Sequence, residues 1–193
     1  LLQQFPATSR STTAKRILIV SDTHGQLHGG VAELARRCDI AVHAGDIGNL
    51  SVLRALRPRL RRTIAVTGNN DTPARWPAEQ CSVLESIPTC ARLALPGGML
   101  VVEHGHRAGK VASRHQTLRG RHPEARLVVY GHSHRLSCDL EHRPWVVNPG
   151  AAGRARSFGG ASCLVLEIDA QRWHIQAHRF ETWMACDATP IRS

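Results

Sequence analysis

Five short stretches carry side chains of the types that can ligate metal ions. Asp22 and His24 sit one residue apart in Ser21-Asp22-Thr23-His24-Gly25, and His132 and His134 repeat that spacing in Gly131-His132-Ser133-His134. Gly45-Asp46, Gly68-Asn69-Asn70-Asp71 and His104-Gly105-His106 complete the set. Each stands at the end of an apolar run. In an extended chain, side chains i and i+2 share a face. Each two-donor pair is therefore expected to aim at one point. The donors are carboxylate oxygens, imidazole nitrogens and an amide carbonyl, with no thiolate. Such a set suits Mn²⁺, Zn²⁺, Fe or Ni²⁺ better than Cu(I). Asp22, His24, Asp46, Asn69, His104, His132 and His134 are too many ligands for one tetrahedral ion. They fit two divalent ions that share Asp46, at the roughly 3.5–4 Å separation of two-metal sites. Mn²⁺ is favoured, with Zn²⁺, Ni²⁺, Fe and Mg²⁺ as alternatives.

The elements that must position these donors follow from periodicity. Residues 16–20 read as a buried strand, and Leu27, Val31, Leu34 and Ala35 give residues 26–38 a helical spacing. A second strand spans 39–43, a short helix 50–56 closes before Pro58, and a third strand spans 63–66. This β-α-β-α-β order predicts a parallel sheet. Ligands of such sheets collect beyond the carboxyl ends of the strands, where the Asp, His and Asn residues stand. Residues 71–79 read as a loop. Strands are expected at 81–85, 90–95 and 99–103, the last two joined through Pro96-Gly97-Gly98. A helix at 109–121 precedes strands at 126–130, 137–141 and 145–147, then a turn at Asn148-Pro149-Gly150. Residues 161–168 and 173–180 form a last hairpin. The expected fold is α/β, with two β-sheets face to face and helices outside. One domain spans 15–180, between a flexible arm at 1–14 and a tail at 181–193.

Composition narrows the partners. The 193 residues suit one domain, and no apolar run approaches the roughly 18 residues of a membrane span. Residues 1–15 lack an apolar core, so no signal peptide is expected. The net charge is +10, compatible with an anionic substrate. A nucleic-acid partner is not favoured, because aromatic residues are only 4%, too few for a stacking platform. Among the 25 basic residues only Lys15 and Lys110 are lysine, a bias spread over the whole chain rather than a patch. None of the six cysteines forms a C-x-x-C pair. They read as small buried hydrophobes, against the weaker alternative of a Cys81–Cys90 disulfide. The cytoplasm is the expected compartment. The sequence leaves the oligomeric state open, a homo-oligomer included.

Taken in order, Asp22-x-His24, Gly45-Asp46, Gly68-Asn69, His104-x-His106 and Gly131-His132-x-His134 resemble the calcineurin-like metallophosphoesterase superfamily, over residues 16 to about 180. The short chain is similar to its small prokaryotic phosphodiesterase branch, whose fold the Vps29-type scaffold of retromer shares. The resemblance implies a four-layer αββα sandwich of two mixed sheets. It implies that Asp22, His24, Asp46 and His134 hold one ion, and that Asp46, Asn69, His104 and His132 hold the other. It implies a phosphodiesterase acting on an anionic phosphoester, with a metal-bridging hydroxide as nucleophile and Asp46 and Asn69 serving catalysis. The alternatives on this fold are a non-catalytic protein-interaction scaffold, or a nuclease or nucleotide hydrolase. Retention of all seven ligands argues for catalysis. The chain departs from larger members at Asn70, where they carry a His thought to assist the leaving group. An amide cannot be a general acid near neutral pH.

Other residues admit two readings. His106 either orients a ligand or donates to the leaving group, or else is a turn residue. Arg154 and Arg156 either clamp a phosphate as guanidinium forks or belong to a solvated loop. Asn70 is placed with them as substrate-binding. His43 is expected as a hydrogen-bonded core residue. His28, His115, His122, His142, His174 and His178 are expected at the surface. Trp76 is either a pocket lip or a loop anchor.

Overall fold

The structure, a computed structural model, describes residues 15–169 and 172–186. The expected arm at 1–14 and residues 187–193 of the expected tail lie outside the described residues. In chain order the elements are β1 (Lys15–Val20), α1 (Gly29–Arg36), β2 (Ile40–His43), α2 (Leu50–Ala55), β3 (Arg62–Ala65), α3 (Cys81–Ser86), β4 (Cys90–Leu95), β5 (Gly98–Glu103), α4 (Arg114–Arg121), β6 (Leu127–Val129), β7 (Leu136–Asp139), β8 (Trp145–Pro149), β9 (Ala161–Ile168) and β10 (Trp173–Phe180).

Alternation of side-chain direction along the strands decides the layers. Ile17 and Ile19 of β1 join Leu164, Leu166 and Ile168 of β9 in one apolar cluster. Leu18 and Val20 join Cys163 and Val165 in another, against Val31, Ala32 and Ala35 of α1. The second sheet divides the same way. Leu100, Val102, Leu127, Val129 and Val147 enter the first cluster, whereas Val101, Val128 and Val146 pack with Leu118 of α4. The first cluster is therefore the interior between two sheets, and the others glue a helix to each outer face. Each fully buried Leu or Ile contributes about 1.5–3 kcal/mol.

The sheets run β10-β9-β1-β2-β3 and β4-β5-β6-β8-β7. Both are mixed: β1-β2-β3 and β5-β6-β8 are parallel, with antiparallel neighbours outside them. This is the expected α/β sandwich. Register aligns the strand ends. Val20 pairs with His43 and His43 with Ala65, so the loops after β1, β2 and β3 leave one edge together. Val102 pairs with Val129 and Val129 with Val147, which does the same for the loops after β5 and β6.

Several local expectations change. Residues 81–85 form helix α3 rather than a strand. Leu84 is its one buried residue and packs with Ile47, Val52 and Trp76, and Ile87, three residues on, joins them. An i, i+3 spacing fits a helix. The helix expected at 109–121 begins as a 3₁₀ turn at Val111–Ser113 and becomes α-helical at Arg114. β8 runs through Asn148 and Pro149, and the chain turns only at Gly150, with φ 76°. All six cysteines are free, so Cys81 and Cys90 form no disulfide.

His28 and His122 are buried, not superficial. His28 caps α1 through Nδ1, which accepts from Gly30 N–H at 3.1 Å. Its ring stacks on Phe180, and residues 182–185 fold back across it: Gly29 N–H donates to Met184 O at 2.7 Å. His122 Nε2 lies 2.9 Å from Glu103 Oε2. His43 is a core residue as expected, 2.9 Å from Thr23 Oγ1. Trp76 is an anchor: it is buried, and its Nε1–H donates to Asp71 Oδ1 at 2.9 Å.

Candidate metal centre

The ligand loops are not extended, as the i, i+2 argument supposes. Asp22, His24, Asp46, His132 and His134 all have left-handed backbone, with φ of 53°, 46°, 53°, 68° and 57°. Non-glycine residues held there cost on the order of 1–3 kcal/mol each, and such strain clusters at functional sites. The first two loops are laced together: Asp22 N–H donates to Gly45 O at 3.0 Å, His24 N–H to Asp46 O at 3.0 Å and Gly25 N–H to Ile47 O at 2.8 Å.

Close approach is the second device. A Cβ on Gly45 would meet His104 Nδ1, one on Gly68 would meet Asp46 Oδ1 and one on Gly131 would meet Asp22 Oδ2, each closer than 3.0 Å. Only glycine leaves room for these side chains.

These devices gather two sets of donors. In the first, ligand atoms of Asp22, His24, Asp46 and His134 all lie within 4.8 Å of one another. His134 Nε2 is 3.3 Å from Asp22 Oδ1 and 3.2 Å from His24 Nε2, and His24 Nε2 is 3.7 Å from Asp46 Oδ2. In the second, Asn69 Oδ1 is 3.2 Å from His104 Nε2 and 2.9 Å from His132 Nδ1, and His104 Nε2 is 3.4 Å from Asp46 Oδ1. All seven expected ligands thus converge, and Asp46 stands in both sets.

Outer hydrogen bonds fix how the donors face. His104 Nδ1 lies 2.7 Å from Ala44 O, and His134 Nδ1 lies 3.1 Å from Ala155 O. A carbonyl only accepts, so each Nδ1 carries the proton and each Nε2 turns towards the cluster. Ser21 Oγ lies 2.7 Å from Asp22 Oδ2. Burial pushes the Asp22 carboxyl up to about 7, the charge of His104 opposing it. Burial also acts to raise Asp46, yet the bond and charge of His104 and the two Asn70 bonds hold it well below the usual carboxylate range. Burial and the charge of Arg156 bring His134 down to about 4, and burial lowers His24 and His132. His104 alone moves up, because Asp46 and Asp22 overcome its desolvation. Two buried carboxylates beside imidazoles depressed by burial form a cluster short of positive charge, which a divalent cation supplies. The residues fit such an ion.

Asn70 does not point away as a free substrate contact. Its backbone N–H donates to Asp46 Oδ1 at 2.8 Å and its Nδ2 to Asp46 Oδ2 at 2.6 Å, while its Oδ1 accepts from Arg75. Asp71 is a residue the sequence reading missed. Its carboxylate accepts the N–H groups of Ile47, Gly48 and Gly68 at 2.8–3.1 Å, besides that of Trp76. It knots the loops after β2 and β3. The only local signal is its place in Gly68-Asn69-Asn70-Asp71. The His106 ring stands 5.6 Å from that of His104 and 6.2 Å from that of His132, and its buried Nδ1 has no partner. Arg156 reaches the centre, with Nη2 3.2 Å from His134 Nε2. Arg154 is exposed in the same loop.

The calcineurin-like phosphoesterase superfamily domain matches residues 16–171. The chain belongs to that superfamily. Among solved structures, a conserved uncharacterized protein of Streptococcus pneumoniae, described as a predicted phosphoesterase, superposes with a TM-score of 0.62 at 22% identity, over 92% of this chain and 96% of its own. Wild-type Vps29 of Entamoeba histolytica complexed with Zn²⁺ gives 0.61 at 16% identity, over 86% and 98%. A novel archaeal phosphodiesterase gives 0.61 at 20% identity, over 84% and 99%. At these identities the likeness is one of fold. No curated protein matches the chain.

Proposed function

We propose that the chain is a metal-dependent phosphodiesterase working through two divalent cations, Mn²⁺ by preference. The observation that carries this reading is the place of Asp46 in two converging ligand sets at once. Asp22, His24, Asp46 and His134 would hold one ion, and Asp46, Asn69, His104 and His132 the other. Bound there, the ions supply Lewis acidity for the phosphoryl oxygens and for a water.

The protein's own groups do the rest. Asn70 holds both oxygens of Asp46, which makes it a positioning residue. Arg156, whose Nη2 reaches His134, would fork onto the oxygens of the scissile phosphate, with Arg154 of the same loop as its companion. His106 is the candidate proton donor to the leaving oxygen in place of the His absent at position 70, since its ring lies beside His104 and His132. The net charge of +10 favours anionic substrates. Six free thiols suit a reducing compartment, consistent with the cytoplasm. Among the described residues no helix is long and apolar enough to cross a membrane.

The test is hydrolysis of bis-p-nitrophenyl phosphate by metal-stripped protein reloaded with Mn²⁺, Ni²⁺, Zn²⁺ or Mg²⁺. Turnover is expected with Mn²⁺ and is expected to vanish in EDTA, with about two ions per chain by metal analysis, as a two-metal site requires. Fully loaded protein that cleaves no activated phosphodiester overturns the reading and leaves a binding scaffold.

A further inference from the structure

A pocket of about 570 Å³ adjoins the metal centre, with His132 in its wall. Arg114, His115, Tyr130, Ser133, Arg135 and Ser137 form most of the rest. Arg114 is its unusual member. The residue is only 6% exposed, and its Nε is buried without a hydrogen-bond partner. Its Nη2 donates weakly to Gly109 O at 3.5 Å, it hydrogen-bonds the Tyr130 side chain, and its guanidinium carbon lies 5.9 Å from the Tyr130 ring centre, so all its partners are neutral. The buried and half-buried carboxylates nearby are engaged elsewhere: Asp139 pairs with Arg119 and His115, and Glu103 with Arg121 and His122. A buried guanidinium with no counter-ion is costly unless something else supplies the negative charge.

Ser133 lines the same pocket from a different loop. Its Oγ accepts from Asn148 Nδ2 at 3.0 Å and weakly from Arg135 N–H at 3.4 Å, and its hydroxyl donates to the Tyr130 oxygen, from which it can rotate towards a ligand in the pocket. Tyr130 is already satisfied. His115 Nδ1 faces the Asp139 carboxylate at 2.9 Å and donates, which leaves Nε2 to accept the Tyr130 hydroxyl proton at 2.9 Å. The pocket thus presents a buried guanidinium without a carboxylate partner, a serine hydroxyl and, at its rim, Arg135, exposed and lying over the Phe158 ring. The neighbouring pocket shares Val111 and His115 but is lined by Asp139 and Glu141, the wrong sign for an anion.

We propose that the pocket receives a second anionic oxyacid group of the substrate, with Arg114 and Ser133 as its specificity determinants. The preferred substrates are then phosphodiesters that carry a further phosphate or carboxylate beyond the scissile phosphorus. The inference rests on the phosphodiesterase reading for its kinetics, but not for its binding.

Two measurements test it. The first is the thermal midpoint of metal-stripped protein with inorganic phosphate and, separately, malonate. A rise with either anion is expected in the native chain, and none in Arg114→Met, which removes the charge at similar volume. Equal responses in both proteins, or no response in the native chain, overturn the proposal. Should Arg114→Met fail to fold, Ser137→Trp fills the pocket from β7 and is expected to abolish the response equally. The second is kcat/KM of Mn²⁺-loaded protein on p-nitrophenyl phosphodiesters whose other alcohol is ethyl, 2-carboxyethyl or 2-phosphoethyl. The anionic members are expected to exceed the ethyl ester by about tenfold, chiefly through KM, the scale of one charge-assisted hydrogen bond. Arg114→Met and Ser137→Trp should bring that ratio to one. Whichever anion leads identifies the group. A ratio near one in the native chain overturns the proposal while the phosphodiesterase reading stands. If none of the esters is cleaved, that reading falls and the anion-binding arm alone decides the pocket.

Discussion

The two halves of the metal centre are built from different materials. Asp22, Asp46 and His134 are buried, and only His24 of that half is partly open. In the other half His104 is buried, but His132 is half-buried and Asn69 is exposed. The first half brings two carboxylates. The second shares Asp46 and otherwise offers neutral donors. More anionic charge at lower dielectric means tighter binding of a cation. The contrast teaches that one ion is expected to be held firmly and the other to exchange, on the side where His106 and the Arg114 pocket lie.

The largest effect should come from the residue the halves share. Asp46→Ala is expected to lower kcat/KM on bis-p-nitrophenyl phosphate by at least about 10³-fold, the upper scale for loss of one electrostatic stabiliser. Metal content should collapse with it. Two ions retained in that variant would dissolve the comparison altogether.

His106 sharpens the second half. His106→Ala should slow alkyl diesters by about 10²–10⁴-fold and nitrophenyl diesters far less, because nitrophenolate leaves without a proton. Equal losses on both series would remove it as a donor.

A smaller pair of changes separates the halves directly. Asp22→Asn should weaken the tight ion, and Asn69→Ala only the loose one, each by about 10–100-fold in affinity. Calorimetric titration with Mn²⁺ reads both. A single shared affinity in the native chain would break the contrast.

The smallest effect belongs to a control away from the centre. The bond to Arg119 holds the Asp139 carboxyl below its usual range, helped by His115. A depressed carboxyl stabilises the fold above its unfolded pKa of about 3.9 and loses that effect as pH falls through the folded value. Asp139→Asn should therefore cost under about 1 kcal/mol at pH 7, because the pair is partly solvated, and progressively less as pH falls below the unfolded pKa of about 3.9. Its Mn²⁺ affinity should match the native chain. A change there would show that the contrast between halves is not local.

Much of this was legible along the chain. The ends of β1, β2 and β3 could be found because apolar runs stop at Ser21, Ala44 and Thr67 and polar donors follow at once. The β9–β10 hairpin could be found because both strands are long. α3 could not, since five residues with two adjacent apolar positions fit either period, and only packing against Trp76 decides. The burial of His28 and His122 depends on Thr182 and Glu103, partners 154 and 19 residues away. The Asp71 knot is hidden for the same reason, since its carboxylate binds backbone groups that no side-chain pattern announces. Even the convergence of the expected ligands rests on left-handed turns rather than on extended geometry.

Gly45, Gly68 and Gly131 carry no ligating atom, yet each lies where any side chain would strike His104, Asp46 or Asp22. Every missense change of a glycine codon adds a Cβ. The genetic target of the centre is therefore wider than the seven proposed ligands. Substitutions at these three positions should score as loss-of-function alleles in a saturation screen while expression stays near normal, and they leave no viable small step by which the centre could drift.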